Sequence, residues 1–253
     1  MNNKRGQVTL FIIIAVVILA IILLLLLFPR ANPFKSTEAF SPNAFLKSCI
    51  EQEIRPSLDL ITKQGGSAQP QGFVQYQGEK ISYLCYTSEN YKTCVVQEPF
   101  IKEKVENELS SLLKAKANTC VSSLVNEYKD RGYSVAATST RLSAQFSPHK
   151  LFILINSPMT VTKETSQTFT DFSLDYNSEL YNLLLTSTSI VDFESTYGDS
   201  ETTLYLQYYP NLKIEKIKLS DGSKIYKLTN VVTKEQFTFA SRSLSWPPGY
   251  GLT

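Results

Sequence analysis

The sequence predicts an α+β protein: a single N-terminal transmembrane helix, then an extracytoplasmic domain with two amphipathic helices, a disulfide hairpin and a largely antiparallel, β-rich C-terminal part. Three observations predict this. Residues 7–28 contain no charge, proline or glycine. At about 1.5 Å per helical residue they span roughly 33 Å, the thickness of a bilayer's hydrocarbon core. Two later segments repeat apolar residues at helical spacing. The rest is rich in Tyr, Phe, Ser and Thr, which suits sheets with one solvated face.

Each element follows in order. Residues 1–6 form a basic stub with Lys4 and Arg5, and 7–28 the membrane helix. The stub and an even cysteine count place the N-terminus inside and the C-terminal domain outside, as a single-pass plasma-membrane protein. Residues 29–43 hold Pro29, Pro33 and Pro42 and read as a semi-extended tether. A helical subdomain with a β-hairpin covers 44–132, and a β-rich domain covers 133–253.

In the first helix Ser41 caps, Pro42 sits in the first turn, and Leu46, Ile50, Ile54 and Ile61 recur near helical spacing. Pro56 is expected to kink it, and Gly65-Gly66 to end it. The SAQPQG segment is a loop. Strands are expected within 73–96, with a turn at Ser88-Glu89-Asn90 that sets Cys85 opposite Cys94 on a non-hydrogen-bonded pair. Pro99 opens the second helix and Gly132 closes it, with a stripe of Ile101, Val105, Leu109, Leu112, Cys120, Leu124 and Tyr128. Strands are then expected at 133–146, 150–156, 159–164 and 167–174, and a helix at 177–193. The last third reads as strands at 202–209, 212–219, 224–232 and 235–241, with an Asp221-Gly222 hairpin turn.

The stub carries a resemblance. Lys4-Arg5-Gly6-Gln7 is similar to the class III, type IV prepilin-like signal of archaeal surface proteins. The resemblance implies processing by a prepilin-type peptidase between Gly6 and Gln7. Phe11 stands where many pilins carry glutamate, and the prolines after the span break the long pilin helix. Ser48-Cys49-Ile50-Glu51 and Ser157-Pro158-Met159-Thr160-Val161 further resemble an uncharacterised family of archaeal single-pass surface proteins. That family implies no activity.

Chemistry is sparse. Four cysteines allow three pairings. The hairpin joins Cys85 to Cys94, which leaves Cys49 and Cys120 to staple the two amphipathic helices. Their spacing lacks the close pairs of a Cys₄ zinc site. His149 is the only histidine and there is no Gly-x-Ser-x-Gly elbow. No phosphate-binding glycine loop occurs. Asp171, Asp175, Glu179, Asp192 and Glu194 follow no calcium-loop or glycosidase pattern and read as surface charge. Tyr205–Tyr209, with Trp246 and Tyr250, reads either as a binding surface for sugar or protein or as sheet packing.

All 23 acidic residues and all but three of the 25 basic ones lie beyond residue 30, so the domain is near neutral and nucleic acid is not an expected partner. The sequence therefore leads to a non-enzymatic, membrane-anchored surface protein with an assembly or adhesion domain, without cofactor or metal. Its expected partners are the lipid bilayer and other surface proteins or itself. The alternatives are a pilin-like filament subunit and an anchored hydrolase.

Overall fold

A computed structural model describes residues 13–22 and 40–245. Residues 13–22 are helical and are called α1. These ten described residues rise about 15 Å, half of the ~30 Å needed. Among the described residues no helix is long and apolar enough to cross a membrane. This corrects the spanning-helix part of the predicted fold and the single-pass plasma-membrane placement that rested on it. The remainder of the predicted 7–28 span, and the Gly6–Gln7 processing site, lie outside the described residues.

Residues 42–245 pack as one compact α+β unit. Its elements are α2 (Pro42–Lys63), β1 (Phe73–Tyr76), β2 (Glu79–Tyr86), β3 (Val95–Val96), α3 (Ile101–Asp130), β4 (Ser134–Ala137), β5 (Arg141–Ser147), β6 (Lys150–Thr162), β7 (Ser166–Asn177), α4 (Leu180–Tyr197), α5 (Thr203–Tyr208), β8 (Leu212–Lys218), β9 (Ser223–Asn230) and β10 (Gln236–Arg242). One sheet runs β1-β2-β10-β9-β8, with β3 also on β2. The other sets β4 and β5 along one side of β6 and β7 along the opposite side. All pairings are antiparallel except β2 with β10.

Helix α2 buries Leu46, Ile50, Ile54 and Ile61 and runs through Pro56 as one element. Its end needs glycine. Gly66 has φ +86°, and a Cβ there would stand 2.9 Å from Val105 Cγ2 and 3.0 Å from Ile101 Cδ1. Helix α3 buries Ile101, Val105, Leu109, Leu113, Ala117, Cys120, Leu124 and Tyr128. Its stripe thus passes through Leu113, not Leu112, because Leu109, Leu113 and Ala117 keep the four-residue step that stays on one face. A disulfide joins Cys49 of α2 to Cys120 of α3, with Cα atoms 5.9 Å apart.

Four local readings are corrected. First, Cys85 faces Val96, not Cys94. The chain after β2 pairs with the end of β10 and the segment following it instead of folding straight back: Thr87 N–H donates to the Arg242 carbonyl (2.9 Å), and Tyr91 N–H to that of Leu244 (2.7 Å). The turn is therefore longer than two residues, and the Cys85–Cys94 bridge (Cα–Cα 5.3 Å) spans it. Second, β6 is one strand of 13 residues, with an irregularity between Asn156 and Met159. Pro158 sits there, where a missing N–H is tolerated, and its carbonyl accepts from Thr138 N–H at 3.0 Å. Third, Thr203–Tyr208 is a short helix, not a strand. Glu201 accepts from the Thr203 N–H at 2.8 Å at its start, and Pro210 follows its end. Fourth, the predicted 177–193 helix runs Leu180–Tyr197 and stops at Gly198, a left-handed C-cap.

Candidate functional site

The sequence assigned Glu194 to the surface, and the structure corrects this: it is 0% exposed. It continues the apolar stripe of α4 (Leu180, Leu183, Leu184, Ile190, Val191) over the β9–β10 sheet. That spacing was the available signal. Lys224, 7% exposed at the side chain, sits against it at 2.6 Å. The ammonium also donates to Asp199 Oδ1 at 3.1 Å and to the Gly198 carbonyl at 2.5 Å. All three of its protons are thereby used. Glu194 further accepts from Tyr226 Oη, from Ser241 Oγ at 3.0 Å and from the Ser200 N–H at 3.0 Å.

Burial, then the Glu194 charge, raise the Tyr226 phenol well above its ordinary value. For Asp199 burial works upward. The hydrogen bond from Lys216 and the Lys224 and Lys216 charges outweigh it, and the carboxyl is held below the usual range. A satisfied, closed ion network of this kind locks packing; it presents no reacting group to a ligand.

An open site lies on the other side of β2. A groove of about 490 Å³ is walled by Phe73, Tyr83 and Tyr86, with Gln69, Gln71 and Gln97 and the Glu98–Lys104 pair around it. The loop carrying Gln69 and Gln71 follows α2. Glu108 of α3 holds it by accepting from the Ala68 N–H at 3.3 Å. Tyr83 and Tyr86 rings lie 4.9 Å apart. Tyr83 is fixed by a 2.7 Å hydroxyl contact with Ser223, and burial raises its phenol. The Arg242 guanidinium lies 5.8 Å from the Tyr86 ring centre. Gln97 spends its Nε2 on the Val95 carbonyl at 2.8 Å, while Glu98 and Lys104 neutralise each other at 2.6 Å. The lining thus offers aromatic faces and neutral amides. Sequence reasoning passed over the SAQPQG loop because its glutamines meet β2 only in the fold.

His149 lies in the β5–β6 turn with φ +61°. Its Nδ1 contacts Glu179 at 2.7 Å beside a small cavity of about 160 Å³. That is an oriented imidazole, yet no serine or cysteine is hydrogen-bonded to the ring among the described residues. Asp171 bonds Asn156 Nδ2 at 2.6 Å, and Asp175 pairs with Lys150 at 2.8 Å. Among the described residues no group of His, Cys, Asp or Glu is placed to hold a metal. Of the aromatic run, Tyr205 Oη contacts Ser189 at 2.8 Å, while Leu204, Tyr208 and Tyr209 are exposed. The run therefore lies on a helix surface and packs in no sheet. Trp246 and Tyr250 lie outside the described residues. No family model matches the chain, and neither a curated protein nor a solved structure matches it.

Proposed function

We propose that residues 42–245 form a non-enzymatic adhesion domain that holds a neutral, hydroxyl-rich ligand in the groove beside β2. The observation that carries this reading is the lining: three aromatic rings and three glutamines, with the Glu98–Lys104 pair neutralised and the Arg242 guanidinium spent on two carbonyls behind Tyr86. Aromatic faces accept apolar C–H surfaces, and planar amides pair with adjacent hydroxyls. Two fixed features fit such a role. Cys85–Cys94 closes the end of β2 beside Tyr86, and Glu108 of α3 holds the loop that carries Gln69 and Gln71. Both keep the walls in place before a ligand arrives, which lowers the ordering cost of binding.

The test is calorimetric titration of the full chain with a panel of neutral oligosaccharides. Saturable binding is expected, weakened at least about tenfold by Tyr86→Ala, a loss of roughly 1.4 kcal/mol. Tyr86 is 37% exposed and packs on Tyr83, so the unfolding midpoint of Tyr86→Ala is measured beside its affinity, which tells loss of the contact from loss of the fold. Binding unaffected by Tyr86→Ala and by Gln71→Ala would remove the groove from the reading. Turnover of any panel member would remove the non-enzymatic part.

A further inference from the structure

Sheet edges expose rows of unpaired N–H and C=O groups, and folded proteins cover, shorten or charge them. Most edges here are managed. On one side of the larger sheet β1 has four residues and β3 two. On the other, β8 carries Lys213, Lys216 and Lys218. In the second sheet the free side of β5 is capped by α3. Ser110 Oγ accepts from the Ala144 N–H at 2.8 Å, and Glu106 Oε1 from the Phe146 N–H at 2.6 Å. Strand β4, on the same side, has four residues.

Strand β7 is the exception among the described strands. It is 12 residues long and contains no lysine, arginine or proline. Among the described residues its edge is covered at the C-terminal end, where Lys47 Nζ donates to the Asp175 carbonyl at 2.6 Å. Ser166, Gln167, Thr168, Thr170, Asp171 and Ser173 are exposed. Backbone direction can be followed from Pro158, whose carbonyl points to Thr138 next to β4. Alternation then turns Met159 and Val161 toward β7, onto their partners Phe169 and Gln167. Ser166 and Thr168 are left with N–H and C=O directed outward. The Thr160–Thr168 and Thr162–Ser166 hydroxyl contacts, at 3.4 and 2.9 Å, fit those being the non-hydrogen-bonded pairs.

We propose that this edge of β7 pairs antiparallel with the same edge of a second copy, about a two-fold axis at Thr168. The occupant follows from self-complementarity. Ser166–Thr170 reads SQTFT and carries no charge, so two copies meet without repulsion. Thr168 then faces Thr168, and Ser166 faces Thr170. The two charges that flank the segment are turned elsewhere: Lys163 Nζ donates to the Arg131 carbonyl at 3.1 Å, and Asp171 accepts from Asn156 Nδ2 at 2.6 Å, so neither opposes the contact. A two-fold pairing also uses up both edges and closes, so it gives a dimer and not an open fibre. The dimer goes beyond the ligand groove, which lies on the other sheet.

Sedimentation of the full chain over a concentration series is the experiment. A monomer–dimer equilibrium is expected, and Thr168→Lys should raise its dissociation constant at least about tenfold. Thr168→Cys should form a disulfide-linked dimer under mild oxidation, whereas Ser143→Cys on β5 should not. Ser166→Lys gives a second measurement if Thr168→Lys folds poorly, and it should weaken the dimer likewise. A chain that stays monomeric at every concentration overturns the proposal. So does a dimer indifferent to Thr168→Lys and Ser166→Lys.

Discussion

Replacing Lys224 by methionine tests whether the Glu194 network holds α4 to the β9–β10 sheet. Methionine keeps most of the stem volume and removes the ammonium. Glu194, fully buried, then keeps three neutral donors (Tyr226, Ser241 and the Ser200 N–H) but loses its only cation. Removing one partner of a buried pair costs about 3–5 kcal/mol, because the other charge is left uncompensated. The Asp199 contact at 3.1 Å is lost too, but Lys216 still pairs with that carboxylate, so little is added. Urea unfolding of the full chain is the assay. With a slope of about 3 kcal/mol/M for a domain of this size, the midpoint should fall by roughly 1–1.7 M. Lys218→Met is the internal comparison. Its ammonium is half exposed and 3.5 Å from Asp199, so the loss should stay within about 0.5 kcal/mol. Equal losses for the two variants, or less than about 1 kcal/mol for Lys224→Met, would refute the argument that burial makes the difference.

Three further outcomes are expected. Opening Cys49–Cys120 with paired alanines should destabilise more than opening Cys85–Cys94, since the sequence separations are 71 and 9 and loop-closure entropy gives about 4 against about 3 kcal/mol; calorimetric unfolding of the two double variants ranks them. Asp199 is held below its ordinary range, so its contribution is in place above about pH 4 and is lost as pH falls through the folded value. Asp199→Asn should therefore flatten the acid limb of the stability curve, and a curve that keeps its slope would assign acid sensitivity elsewhere. Gly66→Ala should cost more than about 1 kcal/mol by thermal unfolding, because φ is +86° and the new methyl meets Val105.

Residue periodicity made the helical half legible. The α2 and α3 stripes, the Ser41-Pro42 start and the glycine stops are local signals, read from residues within one or two turns of each other. The Asp221-Gly222 turn is equally local, with Lys218 pairing with Lys224 across it. The placement of Cys49 and Cys120 on or beside those stripes follows from the same arithmetic. Composition also set the α+β class, since β-branched and aromatic residues could not all be placed on helices.

Tertiary structure decided the rest, wherever a residue's environment comes from chain far away in sequence. Segment 203–208 has β-forming residues but no strand to pair with, and it closes a helical turn instead. Cys85 takes Val96 as its neighbour because the loop after β2 pairs with the end of β10 and the residues after it, some 150 positions on. Glu194 looks like surface charge until Lys224, Tyr226 and Ser241 arrive from the last two strands to satisfy it. The groove glutamines likewise become a site only when the loop after α2 docks on β2. A sequence read in short windows registers propensity and periodicity. Burial of charge, edge coverage and the walls of a cavity depend on contacts between distant segments, and these exist only once the chain has folded.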